Sequence, residues 1–139
     1  MRFVIVTGVS GAGKTAALKM LEDMNYFCVD NLPIQLLEKF ASLLPEMQGE
    51  NVRNVALGID ARSGSALDEL EVVLERMKNT GYEYEILFMD AEDSVLVKRY
   101  KESRRSHPLA RTGRIDEGIR LEREKTKFLR RRADYIIDT

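Results

Sequence analysis

Residues 8–15 read GVSGAGKT and match the pattern G-x-x-x-x-G-K-[ST]. Residue types in this order are suited to holding phosphate. Gly8, Gly11 and Gly13 let the backbone turn tightly, so that successive N–H groups of Val9, Ser10, Ala12 and their neighbours converge on one anion. A helix starting at the end of the pattern adds a favourable dipole. Lys14 has the reach to meet β- and γ-phosphate oxygens, and the Thr15 hydroxyl is a ligand type suited to Mg²⁺. The expected ligand is a nucleoside triphosphate, ATP or GTP, bound with Mg²⁺.

Such a loop needs a carboxylate for the metal, usually an aspartate ending a neighbouring strand. Three apolar runs end that way: YFCVD at Asp30, NVALGID at Asp60 and ILFMD at Asp90. Each also has a simpler role open to it, as a cap for the helix that follows. Asp90, followed directly by AEDSVLVKRY, is expected to cap or close a loop, whereas Asp30 in DNLP fits either role. Asp60 differs because Arg62 stands two residues on, offering a guanidinium for phosphate beside a carboxylate for metal. The expected site is therefore Gly8 to Thr15 with Asp60, Ala61, Arg62 and Ser63. Lys14 and Asp60 are the catalytic candidates, and Thr15 and Asp60 the Mg²⁺ ligands.

The elements needed to hold these residues alternate along the chain. RFVIVTG is a β-branched run closed by Gly8, and Ala17, Met20, Leu21 and Met24 then recur at helical spacing. A short strand YFCVD is punctuated by Asn31 and Pro33, and a helix carries Leu37, Phe40, Ala41 and Leu44. The strand NVALGID precedes a helix with Leu67, Leu70, Leu74 and Met77, stopped by Gly81. YEILFMD is the fourth strand, followed by a basic helix around Val95, Leu96 and Tyr100. After a polar loop, one long charged helix is expected from Ile115 to Arg132, then a buried terminal strand, YIID. Strands alternating with helices predict an α/β fold with a parallel sheet of about five strands, covered on both faces.

At 139 residues the chain suits one domain burying roughly 68% of its unfolded surface. It stops one residue past a predicted strand, so residues 1–139 are expected to be the amino-terminal half of a longer two-domain protein. No apolar run approaches the roughly 20 residues that span a bilayer. The single cysteine, Cys28, has no internal disulfide partner; it is expected to be a buried structural thiol in a reducing cytoplasm. The net charge of −1 conceals an asymmetry: residues 98–132 carry 14 Lys and Arg against 5 Asp and Glu, leaving 8 against 18 elsewhere. A face that meets anions is expected there, set against the plainer expectation of solvated helices with ion pairs.

Together GVSGAGKT, YFCVDNLP, GIDAR, ILFMDA, KRYKESRRSHPL and ADYIIDT resemble the RapZ family of bacterial P-loop proteins. The likeness spans all 139 residues but half of a typical member. It implies a P-loop NTPase fold, ATP and GTP binding with hydrolysis, and a nucleotide motif D-V-R-N that falls on Asp60, Ala61, Arg62 and Ser63. Ala61 and Ser63 depart from that motif, the second by removing an amide suited to contacting a base. The resemblance further implies an RNase-adapter role with RNA or protein partners, contacted chiefly by a carboxy-terminal half. The same order of features looks like nucleoside-monophosphate and shikimate kinases, with Arg99, Arg104, Arg105 and Arg114 as lid arginines. The lead expectation is a nucleotide-binding, slowly hydrolysing regulatory module. The alternatives are a small-molecule or nucleotide kinase, and an RNA binder using residues 98–132. His107, with no other ligand-type residue beside it, is expected to be a loop residue.

Overall fold

Strands built from unbroken apolar runs are stable only when both faces are covered, because successive side chains point to opposite sides. The first run forms β1 (Phe3–Gly8), in which Phe3 to Thr7 are all buried. β3 (Val55–Asp60) and β4 (Glu85–Asp90) flank it, likewise buried along consecutive residues. In the computed structural model, residues 2–9, 12–47, 54–60, 64–103 and 115–139 are described, without the side chains of 44–47, 60, 64, 100, 102, 103, 115 and 116.

Five parallel strands form one sheet in the order β2-β3-β1-β4-β5, with β2 at Phe27–Pro33 and β5 at Tyr135–Asp138. The register pairs Val6 with Gly58 on one side of β1 and Gly8 with Met89 on the other. Helices α1 (Lys14–Asp23), α2 (Ile34–Met47), α3 (Gly64–Thr80), α4 (Asp93–Ser103), α5 (Ile115–Lys125) and α6 (Lys127–Arg132) make the connections and the outer layers. α3 buries Leu67, Leu70, Leu74 and Met77, the four residues its spacing predicted, and ends at Gly81, where Tyr82 N–H reaches back to the Met77 carbonyl.

Five sequence expectations are corrected. The buried face of α1 is Ala17 and Leu18, with Leu21 partly covered, whereas Met20 and Met24 are 67% and 64% exposed. Alternation by 3.6 allowed either stripe, and only the position of the helix against β1, β2 and β3 selects one. β2 runs on through Asn31 to Pro33, and as an edge strand it tolerates the proline. The expected long helix breaks at Thr126, whose hydroxyl donates to the Glu122 carbonyl at 2.8 Å, a back-bond that bends helices. β5 is an exposed edge rather than a buried strand, with Tyr135, Ile136 and Ile137 each between 44% and 49% exposed. Cys28 is half-buried.

Candidate functional site

The carboxyl end of β1 lies between those of β3 and β4, where open α/β sheets collect their ligands. Gly8 closes β1 at φ +149°, and a Cβ there would lie 2.2 Å from the Met89 carbonyl oxygen. The chain can therefore press against β4 only as glycine, and Val9 N–H donates to that same oxygen at 3.1 Å. Ala12 N–H returns to the Val9 carbonyl at 3.2 Å, closing the turn. Gly13 is the N-cap of α1 at φ +95°, with nothing within 4 Å of an added Cβ; conformation, not space, requires glycine here. No side chain caps α1 at this residue. Amides of a helix's first turn have no carbonyl four positions back, so they face the space above the loop. Ser10 and Gly11, at its tip, lie outside the described residues.

Lys14 extends from the start of α1 across to β3, and its Nζ donates to the Ile59 carbonyl at 3.0 Å. This contact joins the loop lysine to the residue before Asp60. Asp60 itself pairs in register with Pro33 of β2, while its side chain lies outside the described residues, as do Ala61, Arg62 and Ser63.

Asp30 enters the site by a route that the spacing did not predict. Between Val29 and Leu32, β2 advances three residues while β3 advances from Leu57 to Ile59. One residue is therefore extra, and bulges of this kind re-aim side chains beside sites. Asn31 takes φ +54°, its N–H donates to Asp30 Oδ1 at 2.8 Å, and Asp30 Oδ2 is left 3.5 Å from the Thr15 hydroxyl. Gly58 makes room for this carboxylate, since a Cβ there would come within 2.8 Å of Asp30 Oδ1. A signal existed in the sequence, a glycine two residues before Asp60, but its meaning depended on β2 lying beside β3.

Asp90 is the opposite case. It is buried, and its Oδ1 accepts from its neighbour Ala91 N–H at 2.8 Å and from Arg123 at 2.9 Å, while Arg130 binds Oδ2. Arg123 also grips Asp93 at 2.6 Å and the Ala91 carbonyl at 2.6 Å. Burial pulls the Arg123 pKa down, but hydrogen bonds and charge from Asp90 and Asp93 outweigh it and hold the group above its ordinary value. Asp90 therefore closes the loop after β4, as its sequence context predicted. Arg123 and Arg130, the residues it uses, were hidden within the basic segment.

Part of that segment's charge is spent internally. Arg123 and Arg130 meet Asp90, Lys125 meets Asp68 at 3.2 Å, and Arg132 meets Glu75. Arg99 donates to the Thr139 hydroxyl at 3.2 Å. Arg104, Arg105, His107 and Arg114 lie outside the described residues. Among the described residues no group of three or more His, Cys, Asp or Glu could cage a metal, and no helix is long and apolar enough to cross a membrane.

The model of one protein family, the RapZ-like N-terminal domain, matches residues 1–139. This chain belongs to that family. A nucleotide-binding protein of Lachnoclostridium phytofermentans is 65% identical over all 139 residues, which make up 48% of that relative. One from Agathobacter rectalis is 60% identical, again over the whole chain and 47% of the relative. The chain thus spans about half the length of the curated relatives it matches. Among solved structures, shikimate kinase from Bacteroides thetaiotaomicron aligns with a TM-score of 0.59 at 19% identity, covering 99% of this chain and 85% of the kinase. Deoxyadenosine kinase from M. mycoides with bound dATP aligns at 0.50 and 12% identity, over 99% of this chain and 91% of that one. At such identities the likeness is one of fold, and it makes the RapZ-like domain a kinase-like P-loop fold.

Proposed function

We propose that the chain binds a nucleoside triphosphate, ATP or GTP, with Mg²⁺ at residues 8–15 and hydrolyses it slowly, as the nucleotide-dependent regulatory half of a two-domain, cytoplasmic RNase-adapter protein. The observation that carries this reading is the Lys14 contact to the Ile59 carbonyl, which sets the phosphate-binding cation of the motif at the strand end carrying Asp60. The relatives' description as nucleotide-binding proteins supports it.

The residues present fit a metal bound together with nucleotide. Thr15 and Asp30 offer a hydroxyl and a carboxylate 3.5 Å apart, and Asp60 ends the adjacent strand. Mg²⁺ usually takes one or two carboxylates, with phosphate and water completing its shell, so no larger cage is needed. When bound, the ion would neutralise charge on the β- and γ-phosphate oxygens. In hydrolysis, water oxygen attacks the γ-phosphorus and the bond to the β–γ bridging oxygen breaks. Asp60 holds the attacking water, and Lys14 turns from the Ile59 carbonyl to stabilise charge on the phosphates. Arg62 supplies a guanidinium to phosphate, and Ser63 a hydroxyl.

The decisive experiment uses ATP and GTP labelled at the γ-phosphate, with wild-type protein and Lys14→Ala. The expected result is label in free phosphate alone, and no nucleotide binding by the variant. Label in a small-molecule acceptor would replace this reading with a kinase, and unchanged titration heats for Lys14→Ala would end it. Asp60→Asn is expected to reduce Mg²⁺-dependent turnover more than Asp90→Asn.

A further inference from the structure

Thr139, one residue beyond β5, touches the phosphate loop. Its backbone N–H donates to the Asp90 carbonyl at 2.9 Å. Its hydroxyl lies 3.1 Å from that carbonyl and 3.2 Å from the carbonyl of Ala12, while accepting from Arg99. A hydroxyl has one proton to donate and lone pairs to accept with, and the Arg99 guanidinium can only donate. With Arg99 on its acceptor side, the Thr139 proton is directed to the two carbonyls.

The contact with Ala12 has a consequence for the amide on the other side of the same peptide. A trans peptide is planar, so the Ala12 carbonyl and the Gly13 N–H point in opposite directions. Gripping the carbonyl therefore fixes the Gly13 N–H on the side of the peptide opposite Thr139. Among the described residues, the neighbouring bonds run from Ala12 N–H to the Val9 carbonyl and from Ala17 N–H to the Gly13 carbonyl, not to the atoms of this peptide itself. Gly13 has φ +95° and no side chain, and α1 has no side-chain cap there. We propose that Thr139 is a positioning residue for the phosphate loop, its hydroxyl holding the Ala12–Gly13 peptide in the orientation that presents the Gly13 N–H to phosphate. It also ties the loop to the residue that follows the edge strand β5. This inference rests on the proposed phosphate-binding role of residues 8–15.

The test is made in the full-length protein, with nucleotide affinity measured by calorimetry for Thr139→Val, Thr139→Ser and Lys14→Ala. Valine keeps the shape without the hydroxyl; serine keeps the hydroxyl without the methyl group. Triphosphate binding by Thr139→Val should weaken about five- to tenfold, the usual effect of one lost hydrogen bond. Thr139→Ser should stay within about twofold of wild type by the same measure. Equal weakening by valine and serine would show a packing role and overturn the proposal, as would unchanged affinity in Thr139→Val. If Thr139→Val does not fold, Thr139→Ala is judged against Thr139→Ser on the same terms. If Lys14→Ala still binds nucleotide, the reading of the loop itself has failed. If it does not bind while Thr139→Val matches wild type, only the positioning role has failed.

Discussion

Substituting Gly8 by alanine tests the packing of the phosphate loop against the sheet. The added methyl group would meet the Met89 oxygen at 2.2 Å, its nitrogen at 2.8 Å and its carbonyl carbon at 2.9 Å. All three are backbone atoms of β4, which cannot rotate aside as a side chain would. Ordinary contact begins at 3.4 Å, so β1 and β4 must part where Gly8 pairs with Met89. Overpacking of this kind costs about 1–3 kcal/mol. Holding alanine at φ +149° adds about 1–3 kcal/mol. Loss of the Val9 N–H bond to the Met89 carbonyl adds about 1 kcal/mol. Together these give a loss of about 3–7 kcal/mol, a large share of the roughly 5–15 kcal/mol that keeps a domain folded. Gly13→Ala is the internal control, because its methyl group meets nothing and only its φ of +95° is unfavourable. That variant should lose about 1–2 kcal/mol. Urea unfolding followed by circular dichroism measures both, and at the upper end of the range Gly8→Ala is unfolded without denaturant. A Gly8→Ala variant within about 1 kcal/mol of wild type, or more stable than Gly13→Ala, would refute the close approach of loop and strand.

Asp90→Ala should lower stability by about 2–4 kcal/mol, since it leaves Arg123 and Arg130 without their shared partner; their partial exposure keeps the loss below that of a fully buried pair. A shift in the urea midpoint worth less than about 1 kcal/mol would show that the carboxylate is not the closing element of the loop. Glu85 titrates below the usual carboxylate range because of its hydrogen bonds to Arg2, with a further one to Tyr135. Its contribution to stability is thus present above an unfolded pKa of about 4.3 and lost as pH falls through the lower folded value. Arg2→Ala should raise the Glu85 titration midpoint in NMR, and an unmoved midpoint would contradict the pairing. Burial first, and the charge of Glu22 second, push the Cys28 thiol up from its ordinary value. Its alkylation at pH 7.5 should be slower than that of free cysteine, and a faster rate would show an exposed thiolate.

Local sequence carried much of this protein's architecture. Residues 8–15 are legible as a phosphate-loop motif because glycine spacing and one lysine act over a single turn, and the turn needs no distant partner to be recognised. The buried stripe of α3 and the runs of β1, β3 and β4 were equally legible, since a 3.6-residue period and an unbroken apolar run are properties of the chain itself. Where two stripes were compatible with one helix, as in α1, periodicity could not choose between Met20 and Leu18.

Strand order was decided only in three dimensions, and with it the roles of the aspartates. Asp60 and Asp90 end the strands β3 and β4 beside β1, whereas Asp30 lies within β2, which sits beyond β3. Asp30 nonetheless reaches Thr15, because an extra residue in β2 and the missing side chain of Gly58 re-aim it. Asp90 is drawn away by arginines more than thirty residues along the chain. The meeting of Thr139 with Ala12 spans 127 residues. A motif records what its own backbone can do. Which side chains arrive beside it depends on pairing five strands in one sheet, a condition satisfied by the whole chain at once.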